Sequence, residues 1–259
     1  MSDPVRLGGM ALGNGVLVHG PTAWACAVRT RDGELKVVAR HKRLRAADVR
    51  NPLLRGPARL LEAFALLPQV KRALPEAELP MERPQVLAAM LGSAVVLHGV
   101  KRSSLRPLAR ELVTSVLSLA PAALALRGGE LASYHGAEHV SIGTYEHGTA
   151  RPKEHERCGS HLVGPMLLTT AAGNLAAERV PLRLRPVARA AGAVGALAAS
   201  VEVFGWMTRH PGHPLARALA KPGHELQHRF GTREPSTAQL EVADAALRAC
   251  LELEHDHDA

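Results

Sequence analysis

The run Ala190-Ala-Gly-Ala-Val-Gly-Ala-Leu-Ala-Ala-Ser-Val-Glu202-Val-Phe-Gly-Trp-Met-Thr208 carries one acid and no base in nineteen residues. Three comparable runs precede it: Pro84 to Val100, Leu112 to Leu126, and Cys158 to Ala177. Alanine, glycine and leucine at this density favour closely packed helices, because small side chains let backbones approach. The predicted fold class is therefore mainly α, a helical bundle. A bilayer core calls for about 20 apolar residues, whereas runs of about 10–14 are commoner as buried helices of soluble bundles. These runs fall between the two lengths, so composition leaves a membrane bundle and a soluble bundle both open. Cations in every loop, at Lys101-Arg102, Arg151, Lys153, Arg183, Arg185 and Arg209, give the positive-inside rule nothing to sort.

Outside these runs the chain has soluble character. Trp24 to Thr30 and Glu34 to Ala39 are β-prone and flank Arg31-Asp32-Gly33, a hairpin signal. The glycines from Gly8 to Pro21 read as tight turns with positive φ. Arg40 to Arg59 is basic and interrupted at Asn51-Pro52 and Gly56-Pro57; an amphipathic helix is expected over Leu60 to Val70. The acidic stretch Leu74 to Pro84 reads as a linker. Thr237 to Glu254, with Ser236 or Thr237 as cap and Leu240, Ala243, Leu247 and Leu251 in one stripe, predicts a helix outside any membrane. The domain division that follows is 1–83 (β element and amphipathic helix), 84–208 (helical bundle with the site) and 209–259 (cytosolic segment).

With 259 residues the chain can bury a sizeable core, and at 3% aromatic that core is built from Leu, Ala and Val. Three scattered cysteines form no disulfide framework and point to a reducing compartment. The net charge of +8 suits anionic lipid headgroups. Nucleic acid is excluded as a partner, because no aromatics interleave with the basic residues to stack on bases.

Chemistry concentrates at Tyr134-His135-Gly-Ala-Glu138-His139. Positions i, i+3 and i+4 share one helical face, and His-x-x-Glu-His is the inverted order of a zincin motif: two imidazole ligands and a carboxylate general base. Glu146, His147, His155 and Cys158 follow closely, so His155 or Cys158 is a further candidate ligand. Glu202 is costly to bury and needs a partner: an arginine such as Arg189 or Arg209, or the metal. His224-Glu-Leu-Gln-His228 has the direct zincin order but begins straight after Lys221-Pro-Gly, and reads as a basic surface helix.

Tyr134-His-Gly-Ala-Glu-His139, Tyr145-Glu146, Arg157-Cys-Gly159, Glu202, Thr232-Arg-Glu-Pro235 and Gln239-Leu-Glu-Val-Ala243 resemble the YqhQ family. So do Gly8-Gly9, the run from Gly15-Val16 to Gly20-Pro21, and Arg55-Gly56 ahead of Glu62. The likeness implies a multi-pass protein of the bacterial cell (inner) membrane, of unknown function, once regarded as a metal-dependent enzyme. It implies ligands at His135, Glu138, His139 and Glu202. Asn14, Val140 and Gly143 stand where the family usually carries an acid, a lysine and a histidine. The expected function is a metal-dependent, hydrolase-type enzyme with a divalent ion, zinc being one candidate. The alternatives are proton or ion transport, or a scaffold that binds a membrane-protein partner. The bilayer itself is the expected surrounding partner.

Overall fold

The computed structural model describes residues 4–44, 46–106 and 129–258, with positions 109, 110, 113, 114, 117, 121 and 124 of the intervening stretch. The expected apolar run at 112–126 thus falls mostly outside the described residues. The chain is mainly helical with a small N-terminal sheet, and its contacts group it into two compact units. One comprises residues 1–43, 67–155 and 228–259; the other comprises 44–66 and 156–227.

The first unit is built on a four-stranded antiparallel meander: β1 (Gly8–Ala11), β2 (Gly15–His19), β3 (Ala23–Arg29) and β4 (Leu35–His41). The β3–β4 hairpin forms where Asp32-Gly33 predicts it, with Gly33 at φ 84°. The element is larger than a hairpin, however, because the glycine-rich run supplies two strands. None of the glycines before Gly33 has positive φ. They are small because neighbours crowd them: a Cβ on Gly15 would collide with the Ala27 carbonyl of β3, and one on Gly20 with the Glu254 side chain.

Helices α3 (Glu130–His147) and α7 (Thr237–Asp258) cover one sheet face. Val16, Val18, Ala25 and Ala27 pack there with Leu131, Ala137, Ile142, Val242, Ala246 and Cys250. The alternate residues Leu17, Trp24, Cys26 and Val28 are equally buried, so β2 and β3 are enclosed on both faces. Ser236 caps α7 as predicted: its Oγ accepts from Gln239 N, while Gln239 Oε1 accepts from Ser236 N. At the other end Glu254 accepts from Thr22 N, Ala23 N and the Thr22 hydroxyl, tying the helix to the β2–β3 turn.

The stretch read as a linker is pinned to the sheet. Leu74, Ala77 and Leu79 are buried, and Pro80–Glu82 form a short 3-10 turn. Asn14 makes the junction: Nδ2 donates to the Arg29 and Glu76 carbonyls, and Oδ1 accepts from Glu78 N. Helix α2 (Pro84–Arg102) follows, with Leu87, Leu91 and Val95 exposed.

Helix α1 (Pro52–Ala73) runs through Gly56-Pro57 instead of beginning near Leu60. Gly56 is a packing residue: a Cβ there would lie 2.9 Å from Val201. In the second unit α4 (Val163–Glu178) and α5 (Arg185–Arg209) pair closely, with Gly173 facing Gly192. Thr169 Oγ1 is 2.8 Å from the hydroxyl of fully buried Ser200. Helix α6 (Pro214–Leu226) packs against this pair. Among the described residues one helical segment, Leu182–Arg209, is long and apolar enough to cross a membrane; Pro84–Val100 is a shorter apolar helix.

Two consequences can be measured. Asn14→Asp removes both Nδ2 donors and should lower unfolding stability by about 1–3 kcal/mol; an unchanged urea midpoint would refute the role given to Asn14. His19 lies behind Gly8, and its Nδ1 accepts from Lys42 Nζ at 3.0 Å. Burial, then the neighbouring Lys42 charge, push its pKa down to about 4. The unfolded chain therefore takes up this proton first, near the ordinary value of about 6.5. Stability from neutral His19 is complete above that value and is lost as pH falls toward 4. His19→Gln should flatten the melting-temperature profile across that window.

Candidate metal centre

Helix α3 brings the motif residues together. Gly129 and Gly148 bracket it at φ 105° and 67°, and Glu130 opens it where a carboxylate complements the helix dipole. Ser141 Oγ donates to Asp244 of α7 at 2.6 Å, fixing the rotation of α3 about its axis. The His135 and His139 rings lie one turn apart, with centroids 4.3 Å from each other and planes tilted by 58°. The loop after α3 then turns back, and His155 comes to 5.5 Å from His139, centroid to centroid. Gly143 makes room for this return, since a Cβ there would meet Arg151 and His155 at 3.2–3.3 Å. Three imidazoles thus share one face of the first unit.

Two backbone carbonyls set their chemistry. His135 Nδ1 lies 2.7 Å from the Gly231 carbonyl, and His139 Nδ1 lies 2.6 Å from the Lys153 carbonyl. A carbonyl can only accept, so each Nδ1 carries the hydrogen and the lone pair of each neutral ring resides on Nε2. Metal-ligating histidines are typically oriented in this way by an outer partner. His155 Nε2 is 3.2 Å from Glu146 Oε2, with both side chains nearly enclosed.

Glu138 occupies the inner side of α3, 6% exposed, against β1. Gly9 is required opposite it: a Cβ there would run into the carboxylate. Glu138 makes no hydrogen bond or ion pair among the described residues. Burial raises its pKa, against the smaller opposing pull of His135 and His155. A buried carboxylate in this position takes up a proton or a cation more readily than an exposed one.

His147 is exposed, with Nδ1 2.9 Å from the Gly143 carbonyl one turn back. Cys158 belongs to the second unit, where it precedes the 3-10 turn Gly159–Leu162 and is partly exposed. Glu202, also in the second unit, forms a bidentate ion pair with Arg55 of α1. Its partner is thus an arginine, though neither Arg189 nor Arg209. In the direct zincin order, α6 ends at Leu226 and residues 227–231 form a wider π turn. His224 and His228 accordingly do not share one regular helix; His228 lies 3.0 Å from Glu154. Sequence reasoning missed Gly231 and Lys153, which act through backbone carbonyls and so leave no mark in side-chain type.

The family described as "Protein of unknown function (DUF1385)" matches residues 129–253, from the start of α3 into α7. An uncharacterised protein, YqhQ of Bacillus subtilis (strain 168), is 26% identical, with the alignment covering 97% of this chain and 94% of that one. Both comparisons place the chain's similarity with YqhQ-like proteins of unknown function. No solved structure matches it. The matched segment contains both arms of the centre, α3 and the Gly231–Pro235 crossing.

That crossing generates a test. Arg233 N donates to the Ala132 carbonyl at 2.9 Å, and a Cβ on Gly136 would strike the Arg233 carbonyl. On an open helix Gly→Ala stabilises by about 1 kcal/mol. Gly136→Ala should instead destabilise by about 1–3 kcal/mol through overpacking, with faster amide exchange at residues 231–233. A stabilised variant would contradict the close approach.

Proposed function

We propose that His135, His139 and His155 hold a divalent metal ion, zinc being the ion that best suits an imidazole-rich set, and that the centre supports metal-assisted hydrolysis. One observation carries the reading: two adjacent histidines on one helix face are each oriented by a backbone carbonyl that takes the Nδ1 hydrogen, so the basic nitrogen of each neutral ring is Nε2. Buried Glu138 and the Glu146–His155 pair support it, because they add carboxylate charge beside imidazoles, as in metal sites. Glu202, engaged by Arg55, is left out of the proposed ligand set. Cys158, three residues beyond His155 in the chain, is kept as a candidate sulfur ligand.

A bound divalent ion supplies a Lewis acid and an acidified water in such a centre. The protein's own part is to hold His135 and His139 in one tautomer and to keep Glu138 away from bulk water. Burial shifts the Glu138 carboxyl toward the range where it can both accept and release a proton. Glu138 is therefore assigned general acid–base duty, and Glu146 orients His155.

We further infer a place in the bacterial inner membrane, with α5 and its partner α4 inserted and α2 as a further inserted segment. The length and apolar surface of α5 support this, as do exposed Leu167, Leu168 and Leu175 on α4. Metal analysis of the purified full-length chain tests the centre. About one equivalent of metal is expected, falling to background in the His135→Ala, His139→Ala double variant, with Cys158→Ser reporting separately on the sulfur. Equal and negligible metal in the parent and the double variant would end the proposal.

A further inference from the structure

The turn joining α4 to α5 is strongly basic. Between Glu178 and Glu202 the sequence holds Arg179, Arg183, Arg185 and Arg189 and no acid. Arg185 is used internally, donating to the Val180 and Glu178 carbonyls and so fixing the turn. Arg179, Arg183 and Arg189 are exposed and have no acidic partner among the described residues. Between and beside them Leu182 is 76% exposed, Val187 68% and Leu184 48%. Free guanidinium groups interleaved with uncovered aliphatic side chains match a phospholipid interface, which offers phosphate and hydrocarbon within a few ångströms. They suit a nucleic acid poorly, since the turn has no aromatic residue.

The far end of α5 supports the same partner. Trp206 stacks on His210 with centroids 5.4 Å apart and meets His213 edge-on at 5.1 Å, an amphipathic cluster of the type enriched at membrane interfaces. From Arg189 to Trp206 the helix rises about 26 Å, close to the hydrocarbon thickness of about 30 Å. Glu202 and Arg55 pair within about one turn of that tryptophan, where the headgroup region tolerates charge.

We propose that the α4–α5 turn is a binding site for anionic phospholipid, with Arg183 and Arg189 taking the headgroup phosphate and Leu182, Leu184 and Val187 packing at the boundary between headgroups and acyl chains. The assignment rests on the membrane reading given above and adds lipid selectivity to it. The test uses the full-length chain in a neutral maltoside micelle, with bound species read by native mass spectrometry. Phosphatidylglycerol should be retained in preference to phosphatidylcholine. In Arg183→Gln, Arg189→Gln its apparent affinity should fall about thirtyfold, the sum of two guanidinium contributions near an anionic surface. Equal retention of both lipids, or an unaltered variant, overturns the proposal. So does equal competition by inorganic phosphate, which marks a plain anion site, or by tRNA, which marks a nucleic-acid surface. Alkaline carbonate extraction of cells separates the two layers of inference. Release by carbonate removes the membrane reading and leaves lipid selectivity to the titration alone; retention without selectivity removes only the lipid site.

Discussion

The backbone of residues 231–233 lies directly on α3 at Gly136, and the geometry of the histidines follows from that approach. Arg233 N closes on the Ala132 carbonyl, and the Gly231 carbonyl takes the Nδ1 hydrogen of His135. A side chain on residue 136 would lift the crossing segment and release the ring. On the opposite side Gly9 lets β1 press on Glu138. The motif helix is therefore held between two backbones, each admitted by a glycine. Holding the rings costs conformational freedom once, at folding, so that ligands set this way need little reordering afterwards.

What could be read from residue order was whatever depends on local periodicity. The Asp32-Gly33 hairpin, the Ser236 cap with its Gln239 partner, and the shared helical face of His135, Glu138 and His139 all arise within a few residues of chain. Glycine was misread where its role is tertiary. In the run Gly8 to Gly20, Glu138 crowds Gly9 and Ala27 crowds Gly15, and no local rule reveals those neighbours. Gly56-Pro57 looks like a helix break, yet Val201 fills the space beside Gly56 and packing outweighs the cost of one missing backbone bond. Leu74 to Pro84 looks like a linker because it is polar and proline-rich. It is ordered by Asn14, sixty residues earlier, whose three hydrogen bonds need an amide and could not be made by an ionised acid.

The candidate site was legible in part for the same reason. Spacing put His135, Glu138 and His139 on one helix face, and nearness in sequence made His155 a candidate beside them. Nothing in side-chain type points to the Gly231 and Lys153 carbonyls, which decide the tautomers. Nor does charge pattern select Arg55 from many arginines as the partner of Glu202, since the pair joins residues 147 positions apart. The two units also divide the physics. One buries a sheet face against two helices and carries the imidazoles; the other pairs glycine-lined helices that leave leucine and valine uncovered. A hydrolytic centre on the first and a lipid-facing surface on the second are separable claims, and either can fail alone.

We propose that one cation is held by His135, His139 and His155. Cobalt(II) titration of metal-stripped protein, followed by visible absorption, tests it directly. The account predicts saturation at one equivalent with the strong d–d bands of a low-coordinate nitrogen-ligated ion, and loss of those bands when any one of the three histidines is replaced by alanine. Weak octahedral bands without saturation, or a spectrum unaffected by replacing His155, would contradict it.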